Sequence, residues 1–135
     1  MWQTLVLEGG MSEGHYLDQD AHEKLRRLLT DAQIPTDIDG GLLPITARFA
    51  AEEQQRQGKV LDGPDVVTQI RNRLVHPRGA QERVYRLEGL VAEVWRLTRH
   101  YLVLLILHSL GYQASYRDLR KTRGWAGEVG NVPWK

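Results

Sequence analysis

The feature that most constrains the fold is a long helical repeat of apolar side chains between residues 81 and 110. Apolar residues follow the helical period there, which places them on one face of a helix: Val84, Leu87, Val91, Val94, Trp95, Tyr101, Leu102 and Leu105. Gly111 follows as a suitable residue to end such a helix. The pattern predicts one long helix from Gln81 to Leu110. Its last turns are apolar on every side, which indicates the middle of a bundle or an interface with a partner.

Two segments before this repeat predict shorter helices. Apolar residues with helical spacing cover residues 16–33, and Pro35 begins the loop that ends this segment. A second helix is predicted over residues 42–57. Pro44 fits only the first turn of that helix, because proline has no N–H group and a fixed φ.

The segment LDGPDVVTQIRNRLVHP contains start and stop signals for a third helix. Asp62 or Gly63 can cap its first turn, and Pro64 fits the first helical position. Pro77 disfavours helical backbone at the residue before it, so the helix is predicted to end near His76.

Strand signals are nearly absent apart from TLVL near the N-terminus. The sequence therefore predicts an all-α fold, a helical bundle of four to five helices with a long fourth helix. A chain of 135 residues has the length of one domain. We expect residues 1–15 to form an N-terminal lead-in, residues 16–110 the bundle, and residues 111–135 an irregular C-terminal tail. This tail is expected to pack on the bundle through Trp125 and Trp134.

Charge and composition exclude several classes of function. Lys+Arg 18 against Asp+Glu 17 gives a net charge of +1, so any site for a polyanion must be local. Most of the basic residues are arginine, the better bidentate donor to phosphate. The absence of cysteine excludes disulfides, thiolate metal sites and cysteine nucleophiles. No signal peptide and no membrane span are recognised, so a soluble cytoplasmic protein without a cofactor is expected.

The most distinctive polar cluster is RNRLVH, residues 71–76, at the predicted end of the third helix. Asn72 and His76 are four residues apart and share a helix face, and Pro77 frees His76 so that the long Arg71 side chain can approach it. Imidazole exchanges protons near neutral pH, guanidinium stabilises charge on phosphate, and an amide can orient either group. Attack by an RNA 2′-hydroxyl would need no metal ion. An arginine five residues before a histidine is also common on solvated helices, and that alternative stays open.

At these residues the sequence resembles the HEPN domain family. IRNRLVHP is similar to the HEPN motif, which has an arginine, a polar residue, three further residues and a histidine. The Apea-like HEPN group is the most similar, because the long following helix, LGYQASY and the closing VPW also resemble its C-terminal half. The resemblance covers residues 62–134, and Arg71, Asn72 and His76 match the defining positions.

The resemblance implies a metal-independent endoribonuclease. His76 would be the general acid/base, Arg71 would stabilise the phosphate and Asn72 would orient the groups. It also implies RNA as substrate, a homodimer through the motif helix, and a defence or toxin–antitoxin setting with further domains, an antitoxin or another regulatory partner. Because some HEPN domains have lost cleavage, the alternative is a non-catalytic module for RNA binding or for protein–protein interaction and dimerisation.

Other basic residues are weaker candidates for RNA contact. Contacts with the RNA backbone are predicted for Arg73, Arg78, Arg117, Arg120 and Lys121. Glu52 and Glu53 could pair with Arg71 if the second helix packs beside the third, but solvation at the surface is the favoured state for them.

Histidines outside the motif have competing explanations. His15, Asp18 and His22 have a spacing that could hold zinc, but a solvated helix face also explains them, and no metal site is predicted. His100 and His108 flank the apolar run of the fourth helix and are predicted to be buried or interfacial.

Overall fold

The structure, a computed structural model, describes residues 20–76, 84–121 and 129–134 in full and residues 81–83 by their backbone. Within this part of the chain it contains five helices and two strands: α1 Ala21–Asp31, α2 Pro44–Gln57, α3 Gly63–Val75, α4 Gln81–Arg86, α5 Leu90–Ser109, β1 Ser115–Arg117 and β2 Val129–Asn131. The predicted helical bundle is confirmed in this coarse form. A strictly all-α fold is not, because the two strands pair.

The helix α1 occupies the later part of the segment predicted as helical. It begins after Asp20, whose backbone N–H donates to the Glu23 carboxylate at 3.2 Å, a contact that satisfies a free donor at the start of a helix. Residues 16–19 lie outside the described part of the chain. The predicted lead-in, residues 1–15, lies outside it as well.

The first turn of α2 is capped by a side chain from α5. Pro44 occupies the start of the helix, as predicted. The buried Glu93 carboxylate accepts hydrogen bonds from the Thr46 backbone N–H at 2.7 Å and from its hydroxyl at 2.9 Å. A carboxylate is favoured there because the N-terminal end of a helix carries partial positive charge. This contact fixes α2 against α5.

The prediction of one helix from Gln81 to Leu110 is wrong at one point. The backbone leaves the helical conformation before Gly89, which has a φ of 85° and precedes the first residue of α5. Glycine adopts this left-handed conformation without steric cost. The apolar period continues across the break because Val84 and Leu90 enter the same cluster, so periodicity alone concealed it.

The helix α5 connects two adjoining apolar clusters and packs against all four other helices. One cluster lies between α1, α5 and the C-terminal segment: Leu29, Ala32, Ile34, Leu43, Leu97, Tyr101, Leu104, Val132 and Trp134. The other lies between α2, α3, α4 and the start of α5: Phe49, Ala50, Leu61, Val66, Ile70, Val84, Leu90 and Val94. Each helix therefore positions the next through a shared core.

The tail predicted as irregular contains a short antiparallel β-pair. Tyr116 of β1 lies opposite Gly130 of β2. After β2, Trp134 packs into the core at 7% exposure, and its indole N–H donates to the Tyr112 carbonyl at 2.8 Å. Trp125, the other predicted anchor, lies outside the described residues.

None of the described helices is both long enough and apolar enough to cross a lipid bilayer.

Candidate functional site

The first turn of α3 is fixed to α1 by a cluster of part-buried charges. Arg26 of α1 donates to both Asp62 carboxylate oxygens, at 2.6 and 3.0 Å, and lies 3.0 Å from Asp65. Asp62 also accepts the Asp65 backbone N–H at 3.0 Å, which caps the helix. Burial alone would raise the pKa of Asp65, but its hydrogen bonds with Asp62 and Lys59 and the charge of Arg26 lower it. Because these charged side chains pair with one another, we interpret this end of α3 as structural.

The last turn of α3 is held to α2 by a second charged cluster. The Glu53 carboxylate, 2% exposed, accepts hydrogen bonds from Arg73 at 3.1 Å, Arg56 at 2.9 Å and Gln57 at 2.8 Å. Burial alone would raise the pKa of Glu53, but hydrogen bonds from Gln57 and Arg73 lower it. The Arg73 guanidinium also lies over the Phe49 ring, 5.2 Å from its centre.

This arrangement differs from the pairing considered for Arg71. The second helix does pack beside the third, but Glu53 pairs with Arg73, and Glu52 pairs with Arg48 of its own helix at 3.0 Å. The reason is helical geometry, because residues 71 and 73 point about 200° apart around the axis. Arg73, predicted as a weak RNA contact, therefore holds two helices together.

The last turn of α3 exposes the three residues predicted as the site. The helix ends at Val75, and the His76 backbone N–H donates to the Asn72 carbonyl at 2.8 Å. Arg71 donates through Nη1 to the Asn72 side-chain oxygen at 3.2 Å. The side chains of Arg71, Asn72 and His76 are all exposed. Among the described residues, Arg71 and His76 form no ion pair, so both remain available to a ligand.

The other predicted RNA contacts lie on a different segment. Arg117 is exposed on β1, and Lys121 is half-buried. Arg120 is engaged with Asp118, to which its Nε and Nη2 donate at 3.0 and 2.8 Å. Arg78 lies outside the described residues.

A buried histidine–aspartate pair joins α5 to the turn after β1. His100 is 4% exposed, and its Nδ1 lies 3.4 Å from the Asp118 carboxylate. Burial and the charge of Arg120 lower the pKa of His100 from 6.5 to about 4, although Asp118 raises it. His100 is thus neutral at pH 7 and acts as a core residue. His108 is exposed at the other end of the apolar run, and its ring packs edge-on against Trp134 at 5.0 Å.

The described residues contain no group of three or more histidine, aspartate or glutamate side chains placed to hold a metal ion. His22, part of the trio considered for zinc, lies 3.9 Å from Asp65. His15 and Asp18 lie outside the described part of the chain.

Sequence reasoning missed an apolar groove beside the site. It has a volume of about 700 Å³ and lies between the end of α3, α4 and the start of α5, with Leu74, Tyr85, Val91 and Trp95 among its lining residues. Leu74 is three residues from Arg71, so both lie on one face of α3. The indole of Trp95 is 60% exposed, although the helical period placed it with core residues. No sequence signal marked the groove, because Val91 and Trp95 follow the same helical period as the buried residues.

Sequence comparison identifies the family. The family model described as the YopA C-terminal domain matches residues 1–131. The chain belongs to this family. One relative is the SPbeta prophage-derived uncharacterized protein YopA of Bacillus subtilis (strain 168), which is 30% identical to this chain over 139 residues. The match covers 99% of the chain but 28% of the relative, so the chain spans just over a quarter of the relative's length. No solved structure matches the chain at a significant level.

The predicted membership of the HEPN family is wrong. The match over nearly the whole chain is to the YopA C-terminal domain, and no HEPN family is detected. The motif that suggested it has three defined positions, which a helix end with ordinary polar residues can reproduce. Arg71, Asn72 and His76 are therefore candidates because of their own geometry and exposure.

Proposed function

We propose that the exposed end of α3 binds RNA and cleaves it without a metal ion. The supporting observation is that Arg71 is hydrogen-bonded to Asn72, which shares its helical turn with His76, while no described residue neutralises Arg71. Arg73, two residues away, is by contrast held by Glu53. An exposed and partly oriented guanidinium on the same helix end as an imidazole suits a phosphodiester.

The proposed reaction is attack by the 2′-hydroxyl on the adjacent phosphorus. The P–O5′ bond breaks, leaving a 2′,3′-cyclic phosphate and a 5′-hydroxyl. His76 either accepts the 2′-hydroxyl proton or donates one to the departing 5′-oxygen, and water exchanges the other proton. Arg71 stabilises the negative charge on the pentacoordinate phosphorus, and Asn72 orients Arg71. The RNA 2′-hydroxyl supplies the nucleophile, so this route has no step that requires a metal ion.

The biological setting is part of the same proposal. We propose a defence or toxin–antitoxin role in the cytoplasm, and the name of the relative adds only that the relative is prophage-derived. An antitoxin, further domains and a homodimer through α3 remain predictions that accompany this role.

The test is cleavage of a labelled RNA in EDTA by the wild-type chain and by His76→Ala and Arg71→Ala. We expect each substitution to lower the rate at least about 100-fold, the contribution typical of a general acid/base or of a charge-stabilising donor. Arg27→Ala and His108→Ala, at exposed positions on other helices, are matched controls that should retain the rate. Intact RNA with the wild-type chain, or equal cleavage by all variants, would contradict the proposed reaction.

A second candidate is RNA binding at the same residues without cleavage. The observation that favours it is that no described residue hydrogen-bonds to the His76 imidazole, whereas catalytic histidines are commonly oriented by a partner. This candidate predicts that Arg71→Ala weakens RNA binding, that His76→Ala does not, and that no cleavage products form.

A further inference from the structure

We infer that the groove beside the end of α3 receives an unpaired base of the RNA strand, with guanine preferred. The groove is defined here by five of its lining residues: Leu74, Tyr85, Glu88, Val91 and Trp95. This inference rests on the proposed function, because it names the part of the substrate that lies next to the reacting phosphate.

Two exposed aromatic rings line the groove, one on α4 and one on α5. Tyr85 is 64% exposed, and Trp95 is 60% exposed. Bases of single-stranded RNA stack on exposed aromatic side chains of this kind. The volume of the groove, about 700 Å³, lies in the range of small-molecule pockets, so one base fits within it.

The groove adjoins the proposed phosphate site at the end of α3. Leu74 forms part of its wall and lies three residues after Arg71, about 4.5 Å along the helix axis at about 1.5 Å per residue. A strand whose phosphate is held at Arg71 therefore passes the mouth of the groove, and a neighbouring base can turn into it. Proteins that recognise single-stranded RNA commonly bind bases that are splayed out of the stack in this way.

Arginines without an ion pair flank the groove on two sides. Arg71 lies on the α3 side, and Arg99 lies four residues after Trp95, on the same face of α5. Both arginines are exposed, and neither forms an ion pair with a described residue. Arg96, by contrast, lies 3.9 Å from the carboxylate of Glu93. Surfaces that bind single strands combine such cations, which neutralise phosphates, with aromatic side chains that stack on the bases.

The charge inside the groove favours a base over a phosphate. Glu88 is the charged residue among the described residues that line the groove, and no described residue pairs with its exposed carboxylate. A carboxylate repels phosphate but accepts hydrogen bonds from the N–H groups of a base. Guanine presents two such donors side by side, N1–H and the N2 amino group, so it can bond both carboxylate oxygens. The single N–H donor of uracil lies between two carbonyl oxygens, which the carboxylate repels.

RNA is favoured over a protein partner because one strand satisfies all the unpaired charges. The cores of protein interfaces are depleted of charged residues, and an apolar cover would leave the Glu88 carboxylate buried without a partner. A base supplies donors to Glu88, while the phosphates on either side of it face Arg71 and Arg99. These charges and the two aromatic rings therefore fit the same ligand.

The test measures binding of labelled 2′-O-methyl oligonucleotides, which lack the 2′-hydroxyl nucleophile and so bind without cleavage. The full 135-residue chain should bind a strand with one guanine among uridines at least about fivefold more tightly than an all-uridine strand, the lower limit for a two-bond base contact. Trp95→Ala should weaken this binding at least about fivefold, as loss of one stacked base does, and Trp95→Phe should retain most of it. Leu102→Ala is the matched control, because Leu102 is 57% exposed on α5 but does not line the groove.

Two charge variants separate recognition of the base from contact with phosphate. Glu88→Gln should remove most of the preference for guanine. Asp37→Asn, which removes the same charge at an exposed position of the loop before α2, should keep that preference. Arg99→Ala should weaken binding of both strands equally and reduce the slope of log affinity against log salt by about 0.7, the contribution of one phosphate contact on a single strand.

Three results would overturn the inference. The first is equal affinity of the wild type for the two strands, or no binding of either strand at concentrations up to about 100 µM. The second is a Trp95→Ala variant that is folded by circular dichroism and binds the guanine strand as tightly as Leu102→Ala does. The third is a wild-type dimer that Trp95→Ala dissociates without a change in RNA affinity, which would assign the groove to a protein partner.

Failure of this inference can be distinguished from failure of the proposed reaction. If Trp95→Ala binds and cleaves RNA as the wild type does, the base subsite is wrong and the reaction stands. If the wild type binds the guanine strand selectively but leaves unmodified RNA intact, the reaction is wrong and the base subsite stands.

Discussion

The phenolic oxygen of Tyr101 on α5 lies directly against Gly63 in the first turn of α3, in space that a side chain at position 63 would occupy. Tyr101 is 3% exposed, and its hydroxyl forms no hydrogen bond with the described residues. Burial raises the pKa of Tyr101 above its ordinary value. The helices α3 and α5 can therefore approach this closely only because residue 63 is a glycine and has no side chain.

Gly63→Ala should destabilise the fold strongly. The added methyl group would meet both the hydroxyl and the Cζ of Tyr101, and it would lie 3.1 Å from the Thr36 carbonyl oxygen. We expect the free energy of unfolding to fall by about 3 kcal/mol, the upper part of the range for overpacking. Urea denaturation followed by circular dichroism measures it.

Tyr101→Phe provides the control for that prediction. Removing a buried hydroxyl without a hydrogen-bond partner should change stability by less than about 1 kcal/mol or raise it. In this background Gly63→Ala should cost less, although not zero, because the Cζ contact at 2.8 Å remains. An equal cost in both backgrounds would show that the hydroxyl is not the obstacle.

Gly89→Ala should be more destabilising than Gly58→Ala. Both glycines have positive φ, 85° and 67°, so alanine at either position adopts a left-handed conformation at about 1–2 kcal/mol. At position 89 the new Cβ would also stand 2.9 Å from Ile45 Cδ1, whereas at position 58 nothing lies within 4 Å. Thermal unfolding of both variants should show a difference of about 1 kcal/mol, and equal costs would contradict the assigned contact.

Arg71→Ala and Arg73→Ala should separate a candidate functional arginine from a structural one. Removing Arg73 leaves the buried Glu53 carboxylate with one fewer cation and uncovers Phe49, so we expect a loss of about 3 kcal/mol. Removing the exposed Arg71 should change stability by less than about 0.5 kcal/mol. Denaturation curves compare them, and a large loss for Arg71→Ala would mean that its effect on RNA cannot be separated from folding.

The stability of the protein should fall between about pH 7 and about pH 5 because of His100. The unfolded chain protonates this histidine near its ordinary pKa of 6.5, whereas the folded protein does so only near 4. The contribution of neutral His100 to stability is therefore complete above pH 6.5 and is lost as the pH falls toward 4. We expect the free energy of unfolding to have fallen by about 2 kcal/mol at pH 5.

Carboxylates do not obscure this effect. Glu53, Asp65 and Asp118 have lowered pKa values in the fold, but their ordinary values are 4.5, 3.8 and 3.8, so they act mainly below pH 5. His100→Gln should remove the slope between pH 7 and pH 5, and His108→Gln at an exposed position should retain it. A slope that survives in His100→Gln would assign it to another group.

Local signals predicted α3 well and the region around α5 less well. Both ends of α3 were predicted because their signals are local in sequence: an aspartate cap, an early proline and a closing proline. The break at Gly89 was missed because the apolar period continues across it and the turn is set by packing against α2. The β-pair was missed because its strands have three residues each and their pairing is non-local.

The candidate site was predicted in its residues but not in its surroundings. Arg71, Asn72 and His76 adjoin in sequence and do adjoin on one helix end. The different role of Arg73 depends on Glu53, which is 20 residues away. The exposure of Trp95 could not be predicted either. The helix α5 is apolar around much of its circumference, and periodicity does not show which side packs against the other helices.

Asp62 gives the two ends of α3 different resistance to opening. Its carboxylate both caps the first turn of this helix and binds Arg26 of α1, so that turn cannot unwind without detaching α1. The two segments should therefore exchange their amide hydrogens as one cooperative unit. The last turn is tied to α2 by the Arg73–Glu53 ion pair, but among the described residues no side chain caps it as Asp62 caps the first turn, so it should exchange sooner. The proposed site thus occupies the end of the helix where a bound strand could loosen the final residues while the Arg73–Glu53 ion pair keeps the helix in place.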